Sequence, residues 1–229
     1  CLDKYRMYEL LQKEGIRTAR CWTSAEAFFA AKQAGEVSYP VFVKPQCGSA
    51  SLHINLAEND ETVRTLFDNE KDLMVQELMT GQEYGCDLYI DLISGKCTSL
   101  FLKKKIRMRA GETDKSVSVK DEKLFARLAA FAEKCGFRGM IDMDLFHDEH
   151  GHENENGWIP EGEWYLSEVN PRFGGGYPHA YACGVDFPSQ MLANLRGEEN
   201  PVTIGAYESG VVMMKYNEIA IRKEGELAE

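Results

Sequence analysis

An α+β fold in two lobes is what this sequence predicts, on three observations. The chain has 229 residues, and at roughly 150 residues per domain that is between one and two domains. Its composition is 44% hydrophobic, 28% charged and 10% aromatic, which describes a globular chain able to bury a core without metals or bridges. Segments of strand and helix character alternate, but long hairpins interrupt them, so an unbroken βαβ winding is not indicated.

The elements follow in order. Asp3 is placed to cap a helix with Met7, Leu10 and Leu11 on its apolar face and Gly15 at its end. Ile16 to Trp22 reads as a short strand, and Ser24 caps a helix through Phe28 and Phe29 to Gly35. Tyr39 to Pro45 is a compact buried strand, followed by the small-residue loop Gly48-Ser49-Ala50-Ser51. Asp60 is the predicted cap of a helix through Val63, Leu66 and Phe67, and Leu73 to Leu78 is a strand. From Glu83 to Val119 the pattern is strand, turn at Ser94-Gly95-Lys96, strand, loop at Ala110-Gly111, strand. Asp121 opens an amphipathic helix carrying Leu124, Phe125, Leu128, Phe131 and Ala132, closed by Gly136. Gly139 to Phe146 and Trp164 to Val169 are strands flanking a polar stretch. Asp186 to Arg196 is a last helix and Gly210 to Tyr216 a last strand. The expected division is a lead-in over 1–38, a small lobe over 39–80 and a large lobe over 81–229, with a hinge near Leu78 to Gln82.

Charge and cysteine usage narrow the function classes. Lys and Arg number 26 against 37 Asp and Glu, a net charge of −11. General nucleic-acid binding needs clustered cations, so such partners are not expected, nor are anionic membrane surfaces. No run of 18 apolar residues exists to span a bilayer, and the first 30 residues hold no apolar signal-peptide core. The seven cysteines are odd in number and form no C-x-x-C, which points to reduced thiols and a cytoplasmic location.

Four groups of residues can carry chemistry. Glu168 and Asn170 lie two apart on a strand and so share a face. A hairpin would bring Asp144 beside them, and Asp142 shares its strand face and is the alternative ligand. Hard oxygen donors on rigid strands suit Mg²⁺, while a solvated strand-end carboxylate is the plain alternative for Glu168. Lys44 ends an apolar strand and needs an anionic partner, either a phosphate or a neighbouring carboxylate. Strand alternation would aim Lys103, Lys105, Arg107 and Arg109 to one side, as a basic face for a polyphosphate or as a lysine-guarded edge. The glycines of Phe173-Gly-Gly-Gly-Tyr-Pro-His179 either let backbone donors reach a carboxylate or serve as a flexible connection. His147, His150 and His152 match no defined zinc spacing and read as a solvated hairpin tip.

Taken in order, these motifs resemble the ATP-grasp superfamily, most closely its carbamoyl-phosphate-synthetase-like, carboxylate–amine ligase branch. The resemblance is carried by Asp3-Lys4, Tyr39-Pro-Val-Phe-Val-Lys-Pro45, Gly48-Ser-Ala-Ser51, Val75-Gln-Glu-Leu-Met79 with Gly81-Gln-Glu83, Gly139-Met-Ile-Asp-Met-Asp144 and Glu168-Val-Asn-Pro-Arg172. It implies an ATP-grasp fold with ATP held between two α+β lobes. It also implies an enzyme that uses ATP and Mg²⁺ or Mn²⁺ to activate a small carboxylate as an acyl-phosphate for attack by an amine or similar nucleophile. By resemblance, Lys4, Lys44 and the loop residues Ser49 and Ser51 meet the phosphates. Glu77, Leu78 and Met79 meet the adenine edge, and Glu83 the ribose. Asp144, Glu168 and Asn170 hold metal, and Arg172 meets the transferred phosphoryl group. One of Lys103, Lys105, Arg107 and Arg109 faces the γ-phosphate or the substrate. An ATP-binding module without turnover is the alternative. Ala50 and His53 stand where the family commonly has glycine, and only two residues precede Asp3, so the family's preceding α/β domain is expected to be absent from this chain. A homodimer is left open beside a monomer.

Overall fold

The computed structural model describes residues 2–48, 54–109, 111–149, 162–216, 218–219 and 221, and the backbone of 152–154 and 157–159. Among the described residues two antiparallel sheets face each other across a cleft, each with helices on its far side.

Helix α1 (Lys4–Lys13) is capped by Asp3, whose side chain accepts from Arg6 N. Its apolar side does not join the first sheet. Met7, Leu11 and Ile16 pack into the core of the second. Strand β1 is only Cys21–Trp22. The rest of the expected strand is an extended strap, in which Arg17 O accepts from Leu166 N. Helix α2 (Ala25–Gln33) is capped by Ser24 as expected. Strands β2 (Val41–Pro45) and β3 (Asn55–Ala57) precede helix α3 (Asp60–Asn69), whose cap is Asn59 rather than Asp60. Strand β4 (Leu73–Glu77) completes a sheet of order β1-β4-β2-β3. Phe28, Ala31 and Val37 pack with Val41, Val43, Val63 and Val75 under this sheet, so the residues read as a lead-in divide between the two layers.

The second sheet has the order β11-β8-β5-β6-β7-β12. Its strands are β5 (Gln82–Ile90), β6 (Cys97–Arg109), β7 (Glu112–Val119), β8 (Gly139–Asp148), β11 (Glu163–Asn170) and β12 (Val212–Met214). Within the expected polar stretch, β9 (His152–Asn154) and β10 (Gly157–Ile159) form a small separate hairpin. Helix α4 (Glu122–Lys134), capped by Asp121, presents Leu124, Leu128 and Phe131 to the sheet face carrying Cys86, Leu88, Ile141 and Met143. Because side chains alternate along a strand, the opposite face of β5 and β8 carries Glu83, Gly85, Asp87, Asp142 and Asp144. That face lines the cleft. Helix α6 (Phe187–Leu195) is capped by Asp186. It is tied to the β5–β6 turn through Asn194, which donates to the buried Asp91 carboxylate at 2.7 Å.

Helix α5 (Tyr177–Ala182) follows the glycine run directly, with a proline in its first turn. The glycines there answer to close packing. A Cβ at Gly174 would enter the carboxylate of Asp142, and one at Gly176 would come 2.6 Å from Lys103 Cε. No helix among the described residues is long and apolar enough to cross a membrane.

Candidate active site

The cleft has a volume of about 640 Å³ and is lined from both sheets. Its small-sheet wall carries Lys44 and, from the start of α1, Lys4. Lys4 N donates to Gln46 O, and Lys4 Nζ donates to Gly48 O at 2.7 Å. Lys44 Nζ donates to Gln76 Oε1 at 2.5 Å, a neutral partner. Among the described residues no carboxylate forms an ion pair with Lys44, and burial pulls its pKa down. Of the two partners the sequence allowed for Lys44, a carboxylate is not found ion-paired to it among the described residues, although the charge of Glu168 acts on it against the effect of burial.

The large-sheet wall is built by register. Glu168 lies opposite Asp144, and Asn170 opposite Asp142. On the other side of β8, Gly85 faces Asp144 and Asp87 faces Asp142. The predicted Asp144, Glu168 and Asn170 are thus neighbours on one surface, with Asp142 completing a square of oxygen-bearing side chains. Lys105 Nζ sits between two of the wall's carboxylates, 2.6 Å from Glu83 Oε1 and 2.5 Å from Asp144 Oδ1. Burial lowers its pKa, but Asp144 and Glu83 outweigh that and hold it above the ordinary lysine value. Lys103 is 1% exposed and is ion-paired to the equally buried Asp87. Gly85 makes room for both lysines, since a Cβ there would lie 3.0 Å from Lys103 Cε and 3.4 Å from Lys105 Cε. Burial and the charges of Asp87 and Asp144 push Asp142 up to about 7.

The expected four-cation face is not formed. The β6–β7 ladder shifts register between Lys105 and Arg107, and again between Arg107 and Met108. Such shifts break the two-residue period. Past them it is Met108 that lines the cleft, with Glu112 and Thr113 from β7. Arg107 is exposed, with Nε 3.8 Å from Asp114 Oδ2, and Arg109 is exposed at the hairpin end. Lys103 is taken up inside the sheet and is not open to a ligand. Arg172 does line the cleft; its guanidinium donates to Phe173 O at 2.9 Å and lies 3.9 Å from Asp142 Oδ2.

Glu77 is committed elsewhere. Arg20 donates from Nε at 3.1 Å to one of its carboxylate oxygens and from its guanidinium terminus at 2.9 Å to the other. Leu78 and Met79 lie in the connection from β4 to β5. Ser49 and Ser51, with Ala50 and His53, lie outside the described residues, as do His150 and the side chain of His152. The described residues hold no group of three or more His, Cys, Asp or Glu side chains placed as a ready-made metal cluster. The carboxylate wall would have to be completed by an amide such as Asn170, by water or by substrate oxygens, which is how Mg²⁺ is commonly held.

Sequence reasoning missed Asp87, Glu112, Thr113 and Gln76. A signal for Asp87 was present: in Glu83-Tyr-Gly-Cys-Asp87-Leu, polar or small residues alternate with apolar ones, which puts Glu83, Gly85 and Asp87 on one face.

Two sheets with a cleft between them, a lysine-bearing wall and a carboxylate-bearing wall define a class that comparison with known proteins identifies. The sequence pattern of the ATP-grasp domain matches residues 1–176, and the chain belongs to the ATP-grasp family. It is similar to the D-alanine–D-alanine ligase of Clostridium botulinum (strain Loch Maree / Type A3), at 25% identity over 144 residues, covering 59% of this chain and 48% of that protein. The chain therefore spans about half the length of the curated relatives it matches. Among solved structures it resembles the biotin carboxylase domain of Hydrogenobacter thermophilus 2-oxoglutarate carboxylase, a dimer in complex with MgADP, ADP and bicarbonate. There the TM-score is 0.70 at 16% identity, covering 92% of this chain and 49% of that one. For Staphylococcus aureus N5-carboxyaminoimidazole synthetase the TM-score is 0.65 at 14% identity, covering 87% and 52%. These structural likenesses show the fold.

Proposed function

We propose that the protein is an ATP- and Mg²⁺-dependent ligase that activates a small carboxylate as an acyl-phosphate for attack by an amine or similar nucleophile. One observation carries the reading: Asp144, Glu168 and Asn170 stand in register on one wall, and Lys4 and Lys44 line the same cleft. Polyphosphate needs the lysines, and the cation that accompanies it needs the carboxylates. The curated relatives are ligases by name, and the structural neighbours include complexes with ADP.

In this reading Lys4 and Lys44 neutralise phosphate charge, and the backbone of Leu78 and Met79 borders the base. Glu83 bonds the ribose hydroxyls. Asp144, Glu168 and Asn170 hold Mg²⁺, which when bound supplies charge neutralisation of the phosphoryl oxygens. Lys105, paired to Glu83 and Asp144 in this structure, would be available to the phosphoryl group if Asp144 held the metal. Arg172 orients the substrate carboxylate for in-line attack and then stabilises the charge of the acyl-phosphate. The Gly111 tip and the Gly48 loop exclude water, so that the amine and not water displaces phosphate. The homodimer is the proposed assembly, supported by the Hydrogenobacter domain dimer. The cytoplasm is the proposed location, supported by six free cysteines among the described residues.

The test is a thermal melt with and without millimolar MgATP, followed by phosphate release over acid and amine pairs. A ligand at about 100 times its Kd stabilises by about 2.7 kcal/mol, a shift of several degrees. A Mg²⁺-dependent rise that Glu168→Gln weakens is expected, together with acid-dependent phosphate release. The rise without release would favour a nucleotide-binding module. Neither would overturn the site.

A further inference from the structure

Lys44 is held without an ion pair, and what holds it reaches back through the small sheet. Register sets the row. Cys21 on β1 lies directly opposite Gln76 on β4. On the other side of β4, Phe42 lies opposite Gln76. Lys44 is two residues on from Phe42, so it shares the Gln76 face and meets that side chain along the diagonal. The three side chains are bonded in that order. Lys44 Nζ donates to Gln76 Oε1 at 2.5 Å. Gln76 Nε2 donates to Cys21 Sγ at 3.5 Å. The Cys21 thiol donates in turn to Ala19 O at 3.4 Å. Gln76, Cys21 and Ala19 are all buried.

Each link follows from what the groups can do. An ammonium group has donors and no acceptor, so Lys44 draws the oxygen of the Gln76 amide toward itself. The NH2 end must then face β1, where an acceptor has to meet it. The Cys21 sulfur accepts there while giving its own hydrogen to Ala19 O. Burial pushes the Cys21 thiol up to about 12, so it keeps that hydrogen at neutral pH. The donors run in one sense from the cleft to the backbone ahead of β1, and hydrogen bonds in such a chain polarise one another. An amide also holds the ammonium group without cancelling its charge. On the large sheet the corresponding work is done by carboxylates, which do cancel it. Without the sulfur, the NH2 end of Gln76 loses its partner in a buried place, and the amide is no longer fixed from behind.

Resting on the ligase reading, in which Lys44 meets phosphate, we propose that Cys21 is a positioning residue for that lysine: its thiol fixes the Gln76 amide, and the fixed amide holds the Lys44 ammonium group at the cleft wall. Cys21 acts through Gln76 and touches neither nucleotide nor substrate.

The test is a double-mutant cycle on MgATP binding, read by titration calorimetry of the full chain. Cys21→Ala is expected to raise Kd at least about threefold, the size of one ordinary hydrogen bond. In a chain that already carries Lys44→Met, the same change is expected to leave Kd where it is, because no ammonium group remains to be held. Cys21→Ser keeps a donor and an acceptor on a smaller side chain, and is expected to stay within about twofold of the wild type. Where Cys21→Ala does not fold, Cys21→Val fills the thiol's space on a strand without an acceptor and takes its place in the cycle. Weakening by the same factor with and without Lys44 would overturn the proposal and leave Cys21 to the packing of the small sheet. Equal weakening by alanine and serine, or none by either, would overturn it too. Each of these results leaves the ligase reading standing. A wild-type chain that binds no MgATP would overturn that reading, and this proposal with it.

Discussion

The two walls of the cleft use lysine in opposite ways. On the four-stranded sheet, Lys44 ends an apolar strand, and among the described residues its hydrogen-bond partner is an amide oxygen, with the charge of Glu168 acting from across the cleft. On the six-stranded sheet, Lys103 is ion-paired to Asp87, and Lys105 is shared by two carboxylates. In the proposed function a cation without an ion pair of its own is the one that meets the incoming phosphates, whereas Lys103, paired inside the sheet, holds the wall together. In that proposed function the small layer offers positive charge to a polyanion, and the large layer offers carboxylates to cations.

The sharpest way to break this comparison is to remove each lysine. Lys103→Met leaves Asp87 buried without its cation and is expected to cost about 3–5 kcal/mol in urea unfolding. Lys44→Met removes an unneutralised, partly desolvated charge. It is expected to leave stability unchanged or slightly raised while at least halving the MgATP-induced rise in Tm. If both variants lose stability alike, the distinction between the walls fails. Next in size, Glu168→Gln is expected to lower ATP turnover at least about 100-fold, equivalent to about 2.7 kcal/mol of activation free energy, with the melting profile retained. Wild-type turnover in that variant would remove Glu168 from the chemistry. Gly174→Ala drives a methyl group into Asp142 and is expected to cost about 1–3 kcal/mol by overpacking, measured by thermal melting.

The smallest effect concerns His179, buried between helix α5 and the cleft-facing side of the large sheet, beside Phe101 and Ser116. Its Nδ1 lies 2.8 Å from Ser116 Oγ, and its Nε2 lies 3.1 Å from Val211 O. Burial, with the charge of Lys103, lowers its pKa. The unfolded imidazole takes up a proton near pH 6.5 while the folded one resists it, so its contribution to stability is lost as pH falls through that value. Asp142, pushed up to about 7, acts in the opposite direction over the same window. Denaturation midpoints of wild type and His179→Gln at pH 7.5 and 5.5 isolate the histidine. The wild type is expected to lose more than the variant, and equal losses would dismiss the effect.

How far the sequence could be read depended on how far apart the interacting residues lie. Helix caps are decided within four residues, and Asp3, Ser24, Asp121 and Asp186 all accept from the backbone N three positions on. Asn59 takes the place expected for Asp60 because two adjacent residues can both cap and only one has extended backbone. The shared face of Glu168 and Asn170 follows from strand periodicity alone. The basic run from Lys103 to Arg109 misled, because its two register shifts are set by pairing with β7 across the hairpin, which nothing within the run reveals. Helix α5 was missed because six residues after three glycines give little periodicity, and Pro178 was its one local mark.

The strap between α1 and β1 has a consequence for synthesis. Arg17 bonds Leu166, about 150 residues later in the chain, and Met7, Leu11 and Ile16 pack in the core that this last part completes. At 5–20 residues per second on a ribosome, that partner follows the helix by roughly ten to thirty seconds. The four-stranded sheet ends at Glu77, so it can close well before then. The first helix therefore has its apolar stripe fully covered only after the sheet encoded behind it has had time to close.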